Sequence, residues 1–136
     1  MDENVLLAVS NIIALLPILR VWYMQRYWEC LLFVLTCITS IMQHLTDTKH
    51  GRNGNKNTSR FFLWLDRITA SMCALYLLIR AYYYPMKMLR SLPIGVVGVS
   101  MMIWSEHDNC SRKHRAVLHV AWHVIAYCCL NSLLMI

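Results

Sequence analysis

Apolar residues run along this chain in five long stretches that are separated by short polar segments. The stretches cover residues 5–23, 30–45, 61–79, 92–104 and 116–136. A helix needs about 20 residues, most of them apolar, to cross the hydrocarbon core of a bilayer. The pattern therefore predicts an all-α bundle of about five transmembrane helices, folded as a single domain over residues 1–136.

The fourth stretch is the shortest and contains Pro93, Gly95 and Gly98. Two arrangements fit it. Either it turns back inside the membrane as a re-entrant segment, or Arg90 reaches the interface and lengthens the span. Residues 80–91 precede it and include three consecutive tyrosines. Because aromatic side chains collect at membrane interfaces, we expect an interfacial turn there.

The last apolar stretch carries two histidines, His119 and His123, four residues apart. On a helix this spacing places both rings on one face, one turn above the other. Such side chains are costly inside a membrane unless they face a partner, a cavity or a metal. We therefore expect one continuous helix over residues 116–136, with both histidines directed into the bundle.

Other polar residues lie at the same predicted depth. Ser40 and His44 repeat the four-residue spacing near the end of the second stretch, and Asp66 lies near the start of the third. If the fourth stretch crosses fully, the chain returns to that side before His119 and His123. Five polar residues from three helices then share one layer near one membrane surface.

Composition and charge agree with a membrane protein. Of the 136 residues, 58% are hydrophobic and 15% are charged, whereas soluble domains are nearer one quarter charged. The formal net charge of +6 resides in the segments between apolar stretches, which favours contact with lipid headgroups, and no nucleic-acid-binding motif is present. None of the six cysteines forms a C-x-x-C pair, so we interpret them as small apolar residues.

Three histidines, a carboxylate and a hydroxyl in one layer are the groups of a catalytic zinc site. Catalytic zinc takes three protein ligands and keeps a fourth position for water. Asp66 would accept a proton from that water, and Ser40 would hold it or donate to a developing oxyanion. Two alternatives use the same histidines: a polar seam between helices, or a haem bound together with another helix.

The order of these motifs resembles the CREST superfamily, which includes alkaline ceramidases, progestin and adiponectin receptors, and post-GPI-attachment lipid remodelling proteins. That family shares S-x-x-x-H, a later Asp, and H-x-x-x-H in its last helix. This chain has Ser40-x-x-x-His44, Asp66, and His119-x-x-x-His123 in that order. The sequence His44-Leu-Thr-Asp-Thr is similar to the H-x-x-D-T of the remodelling branch.

The resemblance implies zinc held by His44, His119 and His123, with Ser40 and Asp66 as the hydroxyl and the acid. It implies hydrolysis of lipid amide or ester bonds. The family has seven spans and this chain has about five, an even number fewer, so the ligands still meet on one side. A second copy or partner membrane subunits are expected to complete the bundle.

Two main functions follow from the sequence. One is a zinc-dependent membrane hydrolase that acts on membrane lipids. The other is a non-enzymatic subunit of a larger membrane complex that retains a metal or polar site, and a pair of haem-binding spans is a third reading. We expect a multi-pass protein of the endoplasmic reticulum, Golgi or plasma membrane, with the mitochondrial inner membrane as the alternative.

Overall fold

The computed structural model describes residues 3–47, 55–105 and 112–134. Within these ranges the backbone is helical apart from the turns, and no strand is present. The prediction of an all-α transmembrane bundle is confirmed, and of the five expected spans four are long and apolar enough to cross a bilayer within the described residues. A bilayer offers no water to backbone amides, so apolar stretches adopt a form in which the backbone satisfies itself.

The first apolar stretch forms two helices joined by a 3-10 turn. Helix α1 covers Glu3–Ser10, the turn covers Asn11–Ala14, and α2 covers Leu15–Tyr23. Pro17 explains the change of geometry, because its nitrogen has no hydrogen to donate to the carbonyl of Ile13 and its ring crowds that carbonyl. The tighter turn therefore lies just before the proline.

A tight turn leads from α2 into α3, which covers Tyr27–Thr46. Gln25 adopts a φ of 58°, in the left-handed region that side-chain-bearing residues rarely occupy. The amide of Arg26 donates to the carbonyl oxygen of Val21 at 2.9 Å, and its guanidinium donates to Glu29 Oε1 at 2.6 Å. These bonds let the chain reverse direction sharply, so α2 and α3 pack against each other.

The region after the third stretch differs from the expectation. Helix α4 covers Lys56–Tyr83 and α5 covers Pro85–Ser105, so only Tyr84 lies between them. The expected interfacial turn over residues 80–91 is therefore wrong. Helix α4 ends where the N–H of Tyr84 donates to the carbonyl of Arg80 at 2.9 Å. Proline is favoured at the first helical position, where its missing N–H is not needed, so α5 begins at once.

Helix α6 covers Arg112–Leu134 without interruption. The expectation of a continuous last helix is confirmed for residues 116–134, and residues 135 and 136 lie outside the described residues. Like α3 and α4, it extends beyond the apolar stretch at its start. Arg and Lys are good helix formers, so the apolar pattern marks only the part of each helix that suits hydrocarbon.

Among residues 3–47, 55–105 and 112–134, four segments are long and apolar enough to cross a bilayer: Asn4–Tyr23, Tyr27–Thr46, Lys56–Tyr83 and His114–Leu134. The apolar part of α5, Ser91–Ser105, is shorter than these four. Large apolar side chains such as Leu19, Ile68 and Leu78 are exposed on the outer surface. Lengths and surface together are compatible with a multi-pass membrane protein.

The helices follow one another around a ring. Helices α1 and α2 pack against α3 and α6, α3 packs against α4, α4 against α5, and α5 against α6. An apolar core forms where α2, α3 and α6 approach: Ala14, Ile18, Val21, Cys30, Phe33, Cys37, Leu130 and Leu134. Beyond this core, towards the end of α3 and the start of α6, the buried side chains become polar.

Candidate metal centre

Three histidine rings meet inside the ring of helices. His44 comes from the last turn of α3, and His119 and His123 come from the first half of α6. The ring centroid of His44 lies 4.9 Å from that of His119 and 5.4 Å from that of His123. One nitrogen of each ring lies within 4.8 Å of the other two, so the three can hold one metal ion.

Both α6 histidines face the bundle, as the spacing predicts. Their ring centroids lie 4.8 Å apart, and both rings contact His44 on another helix. His44 and His123 are only 5% and 6% exposed, and His119 is half-buried. Neither α6 ring is directed at lipid, which confirms the expectation.

The shared depth of the histidines depends on α5. Ser105 is the last residue of α5, and its Oγ lies 3.4 Å from Nδ1 of His119. Helix α5 therefore returns the chain to the end of the bundle where α3 ends. This return is what allows residues of α3 and α6 to meet in one layer.

Two serines contact the histidines from helices that the sequence did not connect with the site. Ser10, at the end of α1, places its Oγ 2.6 Å from Nδ1 of His123. Ser105 makes the corresponding, longer contact with His119. Sequence reasoning missed both residues. The one available signal was depth, since Ser10 lies in the first stretch on the side where the second stretch ends.

Ser40 shares a face of α3 with His44, one turn away along the helix. It is 7% exposed, so its hydroxyl lies inside the protein. The expected pairing of a hydroxyl and an imidazole on one face is therefore present in the helix geometry.

Asp66 is half-buried on α4, near the layer but outside the group of three converging histidines. Two side-chain contacts set the register of α4 against α3: Thr39 Oγ1 to Thr69 Oγ1 at 2.8 Å, and Thr36 Oγ1 to Cys73 Sγ at 3.2 Å. In this antiparallel register Asp66 lies level with residues 42 and 43, between Ser40 and His44. Because Thr69 is three residues further along α4, Asp66 shares the face that is turned towards α3.

A buried polar contact continues from the histidines towards the apolar core. The hydroxyl of Tyr127 donates to Oδ1 of Asn11 at 2.8 Å, and the ring of Tyr127 lies 6.1 Å from that of His123. Asn11 is fully buried, and its amide donates to the carbonyl of Leu7 at 3.2 Å. This contact holds the first span against α6 one helical turn beyond His123.

Among the surface grooves in the described part of the chain are two that bear on the site. One, of about 430 Å³, lies between α4, α5 and α6 and is largely apolar, with Gly95, Trp122 and Leu133 in its wall. The other, of about 370 Å³, lies along α4 beside Trp64 and Arg67. Neither groove is lined by His44, His119 or His123. The groove of about 430 Å³ is lined by the face of α6 that carries Trp122 and Ile125, which differs from the face that carries His119 and His123.

Comparisons with protein-family models, with curated proteins and with solved structures found no match to this chain. The fold and the site define a helical chain with four segments able to cross a membrane. They also define a mostly buried cluster of three histidines that can hold a metal ion.

Proposed function

We propose that His44, His119 and His123 bind a zinc ion and that the protein is a zinc-dependent membrane hydrolase. The observation that carries this is the convergence of one nitrogen from each ring within 4.8 Å. Nitrogens bound at about 2.0–2.1 Å to one tetrahedral ion stand about 3.3–3.4 Å apart. Small side-chain rotations therefore suffice to close the site.

The donor set favours zinc over the alternatives. Three imidazoles and one open position are typical of catalytic zinc, whereas Mg²⁺ and Ca²⁺ prefer oxygen ligands. The rings of His44 and His119 meet edge to face at 4.9 Å, which leaves no gap between them for a haem plane.

The substrate proposed is a lipid amide or ester, as the resemblance to the CREST superfamily implies. Zinc, when bound, polarises a carbonyl oxygen and activates water as a nucleophile. Asp66 would accept the proton of that water, and Ser40 would donate a hydrogen bond to the oxyanion that develops on the substrate. Their positions support these roles, since both lie level with or one turn from His44.

A second candidate is a non-enzymatic subunit in which the metal stabilises the bundle. Two observations favour it: neither groove reaches the histidines, and α4 is exposed along most of its length.

Arg67 and Ser71 lie on the exposed surface of α4 beside Trp64. A second copy or a partner subunit would cover this surface under either function. Sedimentation in mild detergent tests this, and a fully active monomer would contradict it.

Zinc content in four variants tests the metal centre. We expect close to one zinc per purified chain in the wild type, and loss of that zinc in His44→Ala, His119→Ala and His123→Ala. The control is His114→Ala, since His114 is an exposed residue of α6 outside the converging group. Because metal affinity is part of the folding free energy, the three variants should also unfold at lower temperature.

The outcome that would overturn the metal centre is equal zinc content in the wild type and in all four variants. Loss of zinc in the control alone would also contradict it. Zinc bound without hydrolysis of any ceramide or phospholipid ester would support the second candidate over the hydrolase.

A further inference from the structure

The hydroxyl of Ser10 makes two hydrogen-bond contacts. Its Oγ lies 2.7 Å from the carbonyl oxygen of Leu7 and 2.6 Å from Nδ1 of His123. A serine hydroxyl carries a single proton, and a carbonyl oxygen can only accept. When Ser10 donates its proton to Leu7, as the 2.7 Å contact indicates, it accepts from His123. In this arrangement Nδ1 of His123 carries the hydrogen, and the free lone pair of the neutral ring lies on Nε2.

Ser105 repeats this arrangement on another helix. Its Oγ lies 2.7 Å from the carbonyl oxygen of Met102 and 3.4 Å from Nδ1 of His119. The same accounting, applied to this longer contact, favours a hydrogen on Nδ1 of His119. Two histidines on one helix thus each contact, through Nδ1, a serine from a different helix.

We infer that Ser10 and Ser105 are positioning residues that fix His123 and His119 as Nδ1–H tautomers, so that each ring offers Nε2 to the metal. Metal-binding histidines usually donate their second ring N–H to an oxygen acceptor, which sets the ring orientation and raises the basicity of the ligand. The inference rests on the proposed metal centre for its consequence, but the tautomers themselves do not depend on metal.

The two contacts differ in strength. A separation of 2.6 Å is short for a hydrogen bond, whereas 3.4 Å exceeds the usual 2.7–3.2 Å range of N–H···O bonds. Ser10 should therefore hold His123 more firmly than Ser105 holds His119. Because Ser10 belongs to α1 and Ser105 to α5, the metal centre depends on helices that supply none of its ligands.

The first test reads the tautomers directly in the metal-free wild type. Long-range ¹H–¹⁵N correlation spectra of ¹⁵N-histidine-labelled protein distinguish Nδ1–H from Nε2–H imidazoles. We expect Nδ1–H for His119 and His123, and a shift of His123 towards Nε2–H in Ser10→Ala. Nε2–H signals for both histidines in the wild type would overturn the inference.

The second test measures zinc affinity by competition with a chelator. Loss of such an oxygen partner typically lowers metal affinity 10–100-fold. We expect a fall in that range for Ser10→Ala and a smaller one for Ser105→Ala, with Ser10→Thr restoring affinity because it keeps the hydroxyl. Unchanged affinity in Ser10→Ala and Ser105→Ala would overturn the inference.

Matched controls separate the histidine contact from the helical bond. Ser100 on α5 and Ser132 on α6 are exposed, and each donates to a carbonyl four residues earlier at 2.9 Å. Ser100→Ala and Ser132→Ala should leave zinc affinity unchanged. If the wild type binds no zinc, the proposed metal centre fails, while the tautomer spectrum still decides the inference.

Discussion

At the scale of single residues, the histidines and the proposed catalytic groups differ in how firmly the fold places them. His123 contacts Ser10, the ring of His44 and the ring of Tyr127. Asp66 is positioned less directly. The register of α4 against α3 places it level with the site, and it lies outside the group of three converging histidines. Its role is therefore best separated from metal binding by mutation.

Replacing Asp66 with asparagine should keep the zinc and remove the activity. The amide has nearly the same shape but cannot accept the proton, and removal of a general base typically lowers the rate about 10²–10⁴-fold. Ser40→Ala should lower kcat about 10²–10³-fold, as for other oxyanion donors. Zinc content and lipid hydrolysis are measured on the same preparation. Loss of zinc in Asp66→Asn would instead make Asp66 a ligand.

At the scale of elements, α5 packs closely on α6 at Gly98. A Cβ added at Gly98 would lie 2.8 Å from Cγ2 of Ile125 and 3.2 Å from the ring of Trp122. Isoleucine is branched at Cβ and so stiff at χ1 that it cannot easily yield. Gly95, one turn earlier, has no atom within 4 Å of such a Cβ and lies in the groove wall.

The two glycines form a matched pair of variants. Gly98→Ala should destabilise the fold by about 1–3 kcal/mol, as overpacking of a tight contact does. Gly95→Ala should be neutral or stabilising by up to about 1 kcal/mol, because alanine is the better helix former. Thermal unfolding of both proteins in one detergent measures the difference. Equal stability of the two variants would mean that α5 and α6 do not pack this closely.

The sequence predicted the three converging histidines because the signals for them are helical spacing and the number of crossings. The four-residue spacings of Ser40 with His44 and of His119 with His123 fix shared faces, and an even number of crossings fixes shared depth. Ser10 and Ser105 were missed because serines in apolar helices commonly bond their own backbone, as Ser100 also does. Whether such a serine meets a histidine depends on helix packing, which no local pattern records.

At the scale of the whole molecule, the polar layer connects four helices at one end of the bundle. Residues of α3 and α6 supply the candidate ligands, and α1 and α5 supply the serines that contact them. Helix α4 lies on the outside of this arrangement and is the most exposed of the four span-length segments. A metal ion would therefore stabilise the closed ring of helices as well as the site.

X-ray absorption spectroscopy of the zinc-loaded protein tests the central claim most directly, because it reads the ligand atoms and their distances. The account predicts three imidazole nitrogens at about 2.0–2.1 Å with one further light ligand, and no sulfur. It also predicts that this imidazole signal is lost in His123→Ala and kept in His114→Ala. Sulfur ligands at about 2.3 Å, or an oxygen shell without imidazole, would contradict the three-histidine centre.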